Sequence, residues 1–233
     1  MYSFVQKLVA EFLGTFAFVL IAIAAICADQ YLRAANQAGI GVVGIALASS
    51  LAVAALVTAL LHISGAHFNP AVTVALWVTR RLGTVQSVLY CAAQLLGALA
   101  AAYSVKWILP ENAWGPAELG TPLLSPDLTR MHAMALEAAL TFLLVIVFFA
   151  TTIDARTSSG GAAGIAVGFA YAMGILAGYA FTGGAMNPAR VFGPALASRH
   201  WANHGVYWVG PLLGGVVGGF LYERIFLRRQ PPI

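Results

Sequence analysis

Two asparagines stand in matching surroundings. Asn69 lies in His62-Ile63-Ser64-Gly65-Ala66-His67-Phe68-Asn69-Pro70-Ala71-Val72, and Asn187 in Phe181-Thr182-Gly183-Gly184-Ala185-Met186-Asn187-Pro188-Ala189-Arg190-Val191. Their side chains can hydrogen-bond a small polar molecule but form no covalent bond to it. Arg190, directly after the second Asn-Pro-Ala, adds a fixed positive charge, and Glu11 and Glu137 are single acids in long apolar runs. The residue types therefore point to positioning and electrostatics. The one arrangement that could do nucleophilic chemistry is Ser64 with His62 or His67. It lacks a nucleophile elbow or a further partner, and Ser64 has a simpler reading as a loop cap.

Something must hold these groups, and the local signals say what. Asn at an N-cap followed by Pro at the first helical position starts a helix. Each copy thus opens a short apolar helix, predicted at residues 70–78 and 188–198. At 1.5 Å per residue the first is about 14 Å long, too short for a hydrocarbon core about 30 Å thick. The copies lie 118 residues apart (187 minus 69), about half the 233-residue chain.

The chain is 61% hydrophobic and 9% charged, against roughly 25% charged in soluble domains. This predicts an all-α protein of the membrane. The net charge of +4 comes from 12 scattered Lys and Arg, with no basic stripe for nucleic acid. Cys27 and Cys91 are the only cysteines and read as small core residues, with no metal-like spacing. No cleavable signal peptide, cofactor or metal is expected.

Six spans are predicted, at residues 8–28, 40–61, 84–109, 132–153, 161–180 and 206–226, with a polar loop holding Asp29, Arg33 and Asn36 after the first. Residues 1–109 and 132–233 are expected to form two repeats, joined by a loop at 110–131 within a single transmembrane domain. Glu11 with Thr15 matches Glu137 with Thr141, and Tyr90 to Gly97 matches Tyr207 to Gly214. Three spans per half invert the second repeat in the membrane, which brings broken helices together at the midplane. Lys7, Arg80, Arg81, Arg156, Arg224, Arg228 and Arg229 fall on one side, and Arg33, Lys106, Arg130 and Arg199 on the other. Seven against four places both termini in the cytoplasm.

Irregular backbone survives at membrane depth only when buried in protein or lining a watery cavity. The carbonyls of Gly65, Ala66, His67, Gly183, Gly184, Ala185 and Met186 are therefore expected to form a ladder for permeating water. The two half-helix N-termini, each worth roughly half a positive charge, would meet at the centre and repel cations. Asn69 and Asn187 would each donate to a central water. Arg190 would line the pore mouth, because a cation inside a span is a functional candidate by default. Glu11 and Glu137 are read as scaffold acceptors for backbone N–H groups of the adjacent loops.

With Ser-Gly-Ala-His-Phe-Asn-Pro-Ala-Val and Asn-Pro-Ala-Arg in place, the sequence resembles the aquaporin (major intrinsic protein) family over nearly its whole length. The resemblance implies a right-handed bundle of six helices and two half-helices, passive conduction, and a homotetramer in a plasma or inner membrane with one pore per subunit. It also implies a selectivity filter at Ser49, Ile175, Gly184 and Arg190. Water-selective members are similar to one another in having Phe and His at the first two positions, so Ser49 and Ile175 imply a wider, less polar aperture unless neighbours such as Phe181 or Phe192 refill it. Val191 stands where glycerol facilitators usually carry Asp. Water is the expected permeant, with ammonia, urea, hydrogen peroxide, glycerol and boric acid as candidate co-permeants. The alternatives are a facilitator mainly for a small uncharged solute such as glycerol or boric acid and, more remotely, a secondary transporter, which would need a coupling site beyond Glu11 and Glu137.

Overall fold

The computed structural model describes residues 2–157 and 162–227. Residues 158–161 and the Arg228-Arg229 pair counted above lie outside them. The elements are α1 (Phe4–Ala34), α2 (Gly41–Ser64), α3 (Pro70–Val78), α4 (Thr84–Ile108), α5 (Glu111–Trp114), α6 (Arg130–Phe148), α7 (Ala163–Thr182), α8 (Pro188–Ser198) and α9 (Val206–Tyr222). π-helical turns extend α6 to Ile153 and α9 to Leu227. There is no strand among the described residues. Helices α1, α2, α4, α6 and α7 are long and apolar enough to cross a membrane. Helix α9 has 17 residues, about 26 Å, and its π turn supplies the remaining length. The result is six spans and two half-helices, α3 and α8.

Span ends differ from expectation where polar residues look like loop. Asp29 and Arg33 belong to α1, not to the connecting loop. They sit one turn apart on one face, and Arg33 Nε donates to Asp29 Oδ2 at 2.8 Å. Asp29 Oδ1 also accepts from the Gly41 N–H at 2.7 Å, which ties the end of α1 to the start of α2.

Small residues set how the spans meet. In α9, Gly214 and Gly218 face α6, while Gly215 and Gly219 face α3. Gly164 and Gly168 of α7 face the α2 backbone, and Gly97 of α4 faces Phe12 of α1. Helices pack backbone to backbone at such points, as membrane helices do without a hydrophobic driving force between them. A Cβ at Gly214 would lie 2.0 Å from the Ala138 carbonyl oxygen, and that backbone atom cannot swing away. Gly214→Ala is expected to destabilise the fold by about 1–3 kcal/mol or more, read as a lower melting temperature in detergent. An unchanged melting temperature would contradict this packing.

The charged ends fall into two sets. Arg81 pairs with Glu223, and Arg156 donates to the Phe226 carbonyl and pairs with Asp154. The Arg156 guanidinium beside Asp154 holds that carboxyl well below the usual carboxylate range. At the other end, Arg130 donates to Asn203, Lys106 to the Ala197 carbonyl, and His200 lies against Glu118.

Candidate pore site

Each half-helix is capped by its asparagine. Asn69 Oδ1 accepts from Ala71 N–H at 2.8 Å, and Asn187 Oδ1 from Ala189 N–H at 2.9 Å. Pro70 and Pro188 occupy the first helical positions, where no N–H is needed. The carboxamides then reach across. Asn69 Nδ2 donates to the Met186 carbonyl and Asn187 Nδ2 to the Phe68 carbonyl, both at 2.9 Å. These reciprocal bonds place the N-termini of α3 and α8 head to head, with both asparagines fully buried.

The backbone N–H groups of the loops before them are held by two buried acids. Glu11, fully buried, accepts from Ser64 Oγ and His67 N–H through Oε1, and from Phe68 N–H and Gln94 Nε2 through Oε2. Glu137, also fully buried, accepts from Thr182 Oγ1, Ala185 N–H and Met186 N–H. Ser64 Oγ and Thr182 Oγ1 in turn accept from Ala66 and Gly184 N–H. No peptide among the described residues is cis, and in a planar trans peptide the C=O points opposite to the following N–H. The carbonyls of Ala66, His67, Gly184 and Ala185 therefore face away from the two glutamates, and those of Gly65 and Gly183 away from the two hydroxyls that the glutamates hold. None of these six accepts a protein hydrogen bond among the described residues. Phe68 and Met186 close the loops at φ 47° and 51°, a left-handed conformation costing roughly 1–2 kcal/mol for a residue with a side chain. Their N–H bonds to the buried carboxylates offset it.

Comparison with known proteins bears on this geometry. The profile of the family described as Major intrinsic protein matches residues 1–222. The chain belongs to the major intrinsic protein family. Mouse aquaporin-4 is 40% identical over 224 residues, covering 96% of this chain and 68% of that protein. Aquaporin TIP4-4 of maize is 39% identical over 226 residues, covering 96% and 87%. Among solved structures, the aquaglyceroporin from Plasmodium falciparum superposes with a TM-score of 0.82 over 96% of this chain and 97% of its own. At 22% identity that likeness concerns the fold alone.

The four positions expected to form a filter in this major intrinsic protein are all buried. Ser49 lies on α2, Ile175 on α7, Gly184 in the second loop and Arg190 in α8. A Cβ at Gly184 would lie 2.6 Å from the Gly174 carbonyl oxygen and 2.9 Å from Ile175 Cα, so the loop backbone packs directly on α7. Arg190 is 5% exposed, yet its Nη1 has no hydrogen-bond partner among the described residues. It borders a cavity of about 530 Å³ that is also lined by Tyr179, Gly183, Pro122 and Ser125. Phe181 is 49% exposed, and Phe192 stacks edge-on against Trp201 and Trp208.

Two expectations need correction. Met186 does not extend the carbonyl ladder: its oxygen accepts from Asn69, because it ends the loop directly opposite that amide. Nor do the asparagines keep a hydrogen for a central water. The second donor of each goes to the Tyr171 hydroxyl, at 3.0 Å from Asn69 Nδ2 and 3.2 Å from Asn187 Nδ2. Tyr171 stands 16 residues before Asn187 (187 minus 171), where the first half has Val53 (69 minus 16). Aligning the halves would have exposed that mismatch. His67 places its ring between Tyr90 and Phe148, with Nδ1 3.1 Å from Thr73 Oγ1. His62 is exposed and stacks edge-on with Tyr2.

Proposed function

We propose that this chain is a passive transmembrane channel with water as its main permeant, and that it excludes protons and ions. The observation that carries the reading is the row of six unpartnered carbonyls running toward two half-helix N-termini that meet head-on. Buried backbone oxygens without protein partners are rare, and permeating water would satisfy them. The Gly65, Ala66, His67 carbonyls and the Gly183, Gly184, Ala185 carbonyls then serve the two halves of the path. Arg190, with its free Nη1, presents donors and a positive charge at one mouth. Ser49, Ile175 and Gly184 complete a filter there that has no aromatic ring to narrow it and passes small neutral solutes as far as the centre. Both aquaporin-4 of mouse and aquaporin TIP4-4 of maize carry the channel name, which supports the same reading.

Glu11 and Glu137 act as scaffold. Glu11 faces four donors and Glu137 three, which leaves neither carboxylate free to couple an ion as a transporter would. The side of Arg81 and Arg156 is assigned to the cytoplasm by the positive-inside rule, and both termini with it. Residues 1–109 and 132–233 act as inverted repeats, and the channel works as a homotetramer in a cell membrane.

Stopped-flow light scattering on proteoliposomes tests this. Osmotic shrinkage faster than in empty liposomes and unsaturated at high gradients is expected. Saturable, gradient-coupled flux would overturn it.

A further inference from the structure

We infer that Tyr171, rather than the four-residue filter, is the size-limiting element of this pore. The inference rests on the channel reading above and deepens it.

Each asparagine carboxamide has two N–H donors. One from each is committed to the opposite loop's carbonyl. The others converge on a single atom, the Tyr171 hydroxyl oxygen. That atom therefore occupies the point where the two half-helix N-termini aim their donors, the central station of the path. A hydroxyl oxygen has two lone pairs, and both amides are accommodated by them. Toward a permeant the phenol can only donate. The ring is held from the side by Phe18, edge-on at a centroid distance of 5.3 Å, and Tyr171 is 5% exposed.

The contrast with the mouth is what assigns selection to the centre. Ser49 and Gly184 supply little bulk to the filter. Ile175 follows Tyr171 by four residues on α7, one turn or about 6 Å along the helix, so both sit on the same face. The aromatic ring thus lies one turn deeper than the aperture that lacks one. Passage requires the phenol to leave its two amides, and a solute larger than water needs more displacement than water does.

Three proteins in liposomes decide this: wild type, Tyr171→Val, which copies Val53, and Tyr171→Phe, which keeps the ring and removes the hydroxyl. Water flux, its activation energy and glycerol-driven reswelling are read for each. Tyr171→Val is expected to raise water flux roughly tenfold, the equivalent of about 1.4 kcal/mol of barrier and of the net worth of one to two hydrogen bonds. It is also expected to admit glycerol that the wild type excludes. Tyr171→Phe should fall between the two for water and still exclude glycerol. If Tyr171 merely braces the half-helices, Tyr171→Phe lowers the melting temperature with no gain in flux, and the inference is wrong. It is equally wrong if glycerol enters the wild type as fast as Tyr171→Val, or if Ser49→Phe with Ile175→His is what stops it; the channel reading then stands. No water flux above empty liposomes in any folded variant removes the channel reading and this inference with it. Should Tyr171→Val fail to fold, the flux of Tyr171→Phe alone decides.

Discussion

Glu137→Leu is expected to abolish the folded channel. The fully buried carboxylate accepts from Thr182 Oγ1 at 2.7 Å, Ala185 N–H at 2.9 Å and Met186 N–H at 2.8 Å. Thr182 has a fallback in the Gly178 carbonyl at 3.5 Å, but the two backbone N–H groups have none. Each buried orphan costs about 1–3 kcal/mol, and Met186 loses the bond that offsets its left-handed conformation. The sum, roughly 3–8 kcal/mol with the loop strain, rivals the about 5–15 kcal/mol that holds a typical domain together. Glu137→Gln is milder. Its one oxygen still serves Thr182 and Ala185, and only the Met186 N–H meets an amide donor, so about 1–3 kcal/mol is lost. The measurement is the melting temperature and the yield of monodisperse protein in detergent. Wild-type-like melting of Glu137→Leu would show that the loop is held by something other than this acid.

How much of this was readable beforehand depends on the range of the interaction. The half-helices run at Pro70–Val78 and Pro188–Ser198 as expected, because an asparagine cap followed by proline is a signal within three residues. The glutamates were readable because each is a lone acid in an apolar span and the two recur in register. The end of α1 is hidden in the sequence because Asp29 and Arg33 look like loop residues until their one-turn spacing is considered. The outer support of the site was not legible at all. Gln94 reaches Glu11 and Thr73, and Tyr90 reaches the Ser64 carbonyl, across contacts that only the assembled bundle creates. Tyr171 is the sharpest case. It touches Asn69 across 102 residues and Asn187 across 16, and nothing local to span five distinguishes its ring from an ordinary core aromatic.

The opposite outcome is expected at the buried cation, Arg190. Glu137 is satisfied on every side that matters to the fold, whereas Arg190 keeps an unpartnered Nη1 beside the cavity. A buried guanidinium without its full set of acceptors is a burden on stability, since desolvating a charge is repaid only by good partners. Arg190→Val should therefore fold as well as wild type or melt slightly higher. What it loses is the barrier to cations. A unit charge about 6 Å from a permeating cation, at an effective dielectric near 20, opposes passage by about 3 kcal/mol, which corresponds to roughly a hundredfold in leak rate. The half-helix N-termini remain and still repel cations, so the variant gains a leak rather than an open cation pore. The leak is best read in the Tyr171→Val background, where the centre no longer limits flux, by following the decay of an imposed pH or sodium gradient across liposomes. A leak rate unchanged by Arg190→Val would mean that the half-helix ends alone exclude cations. A sharp fall in melting temperature would mean that the guanidinium is a strut of the fold like Glu137, and its free donor would then need another explanation.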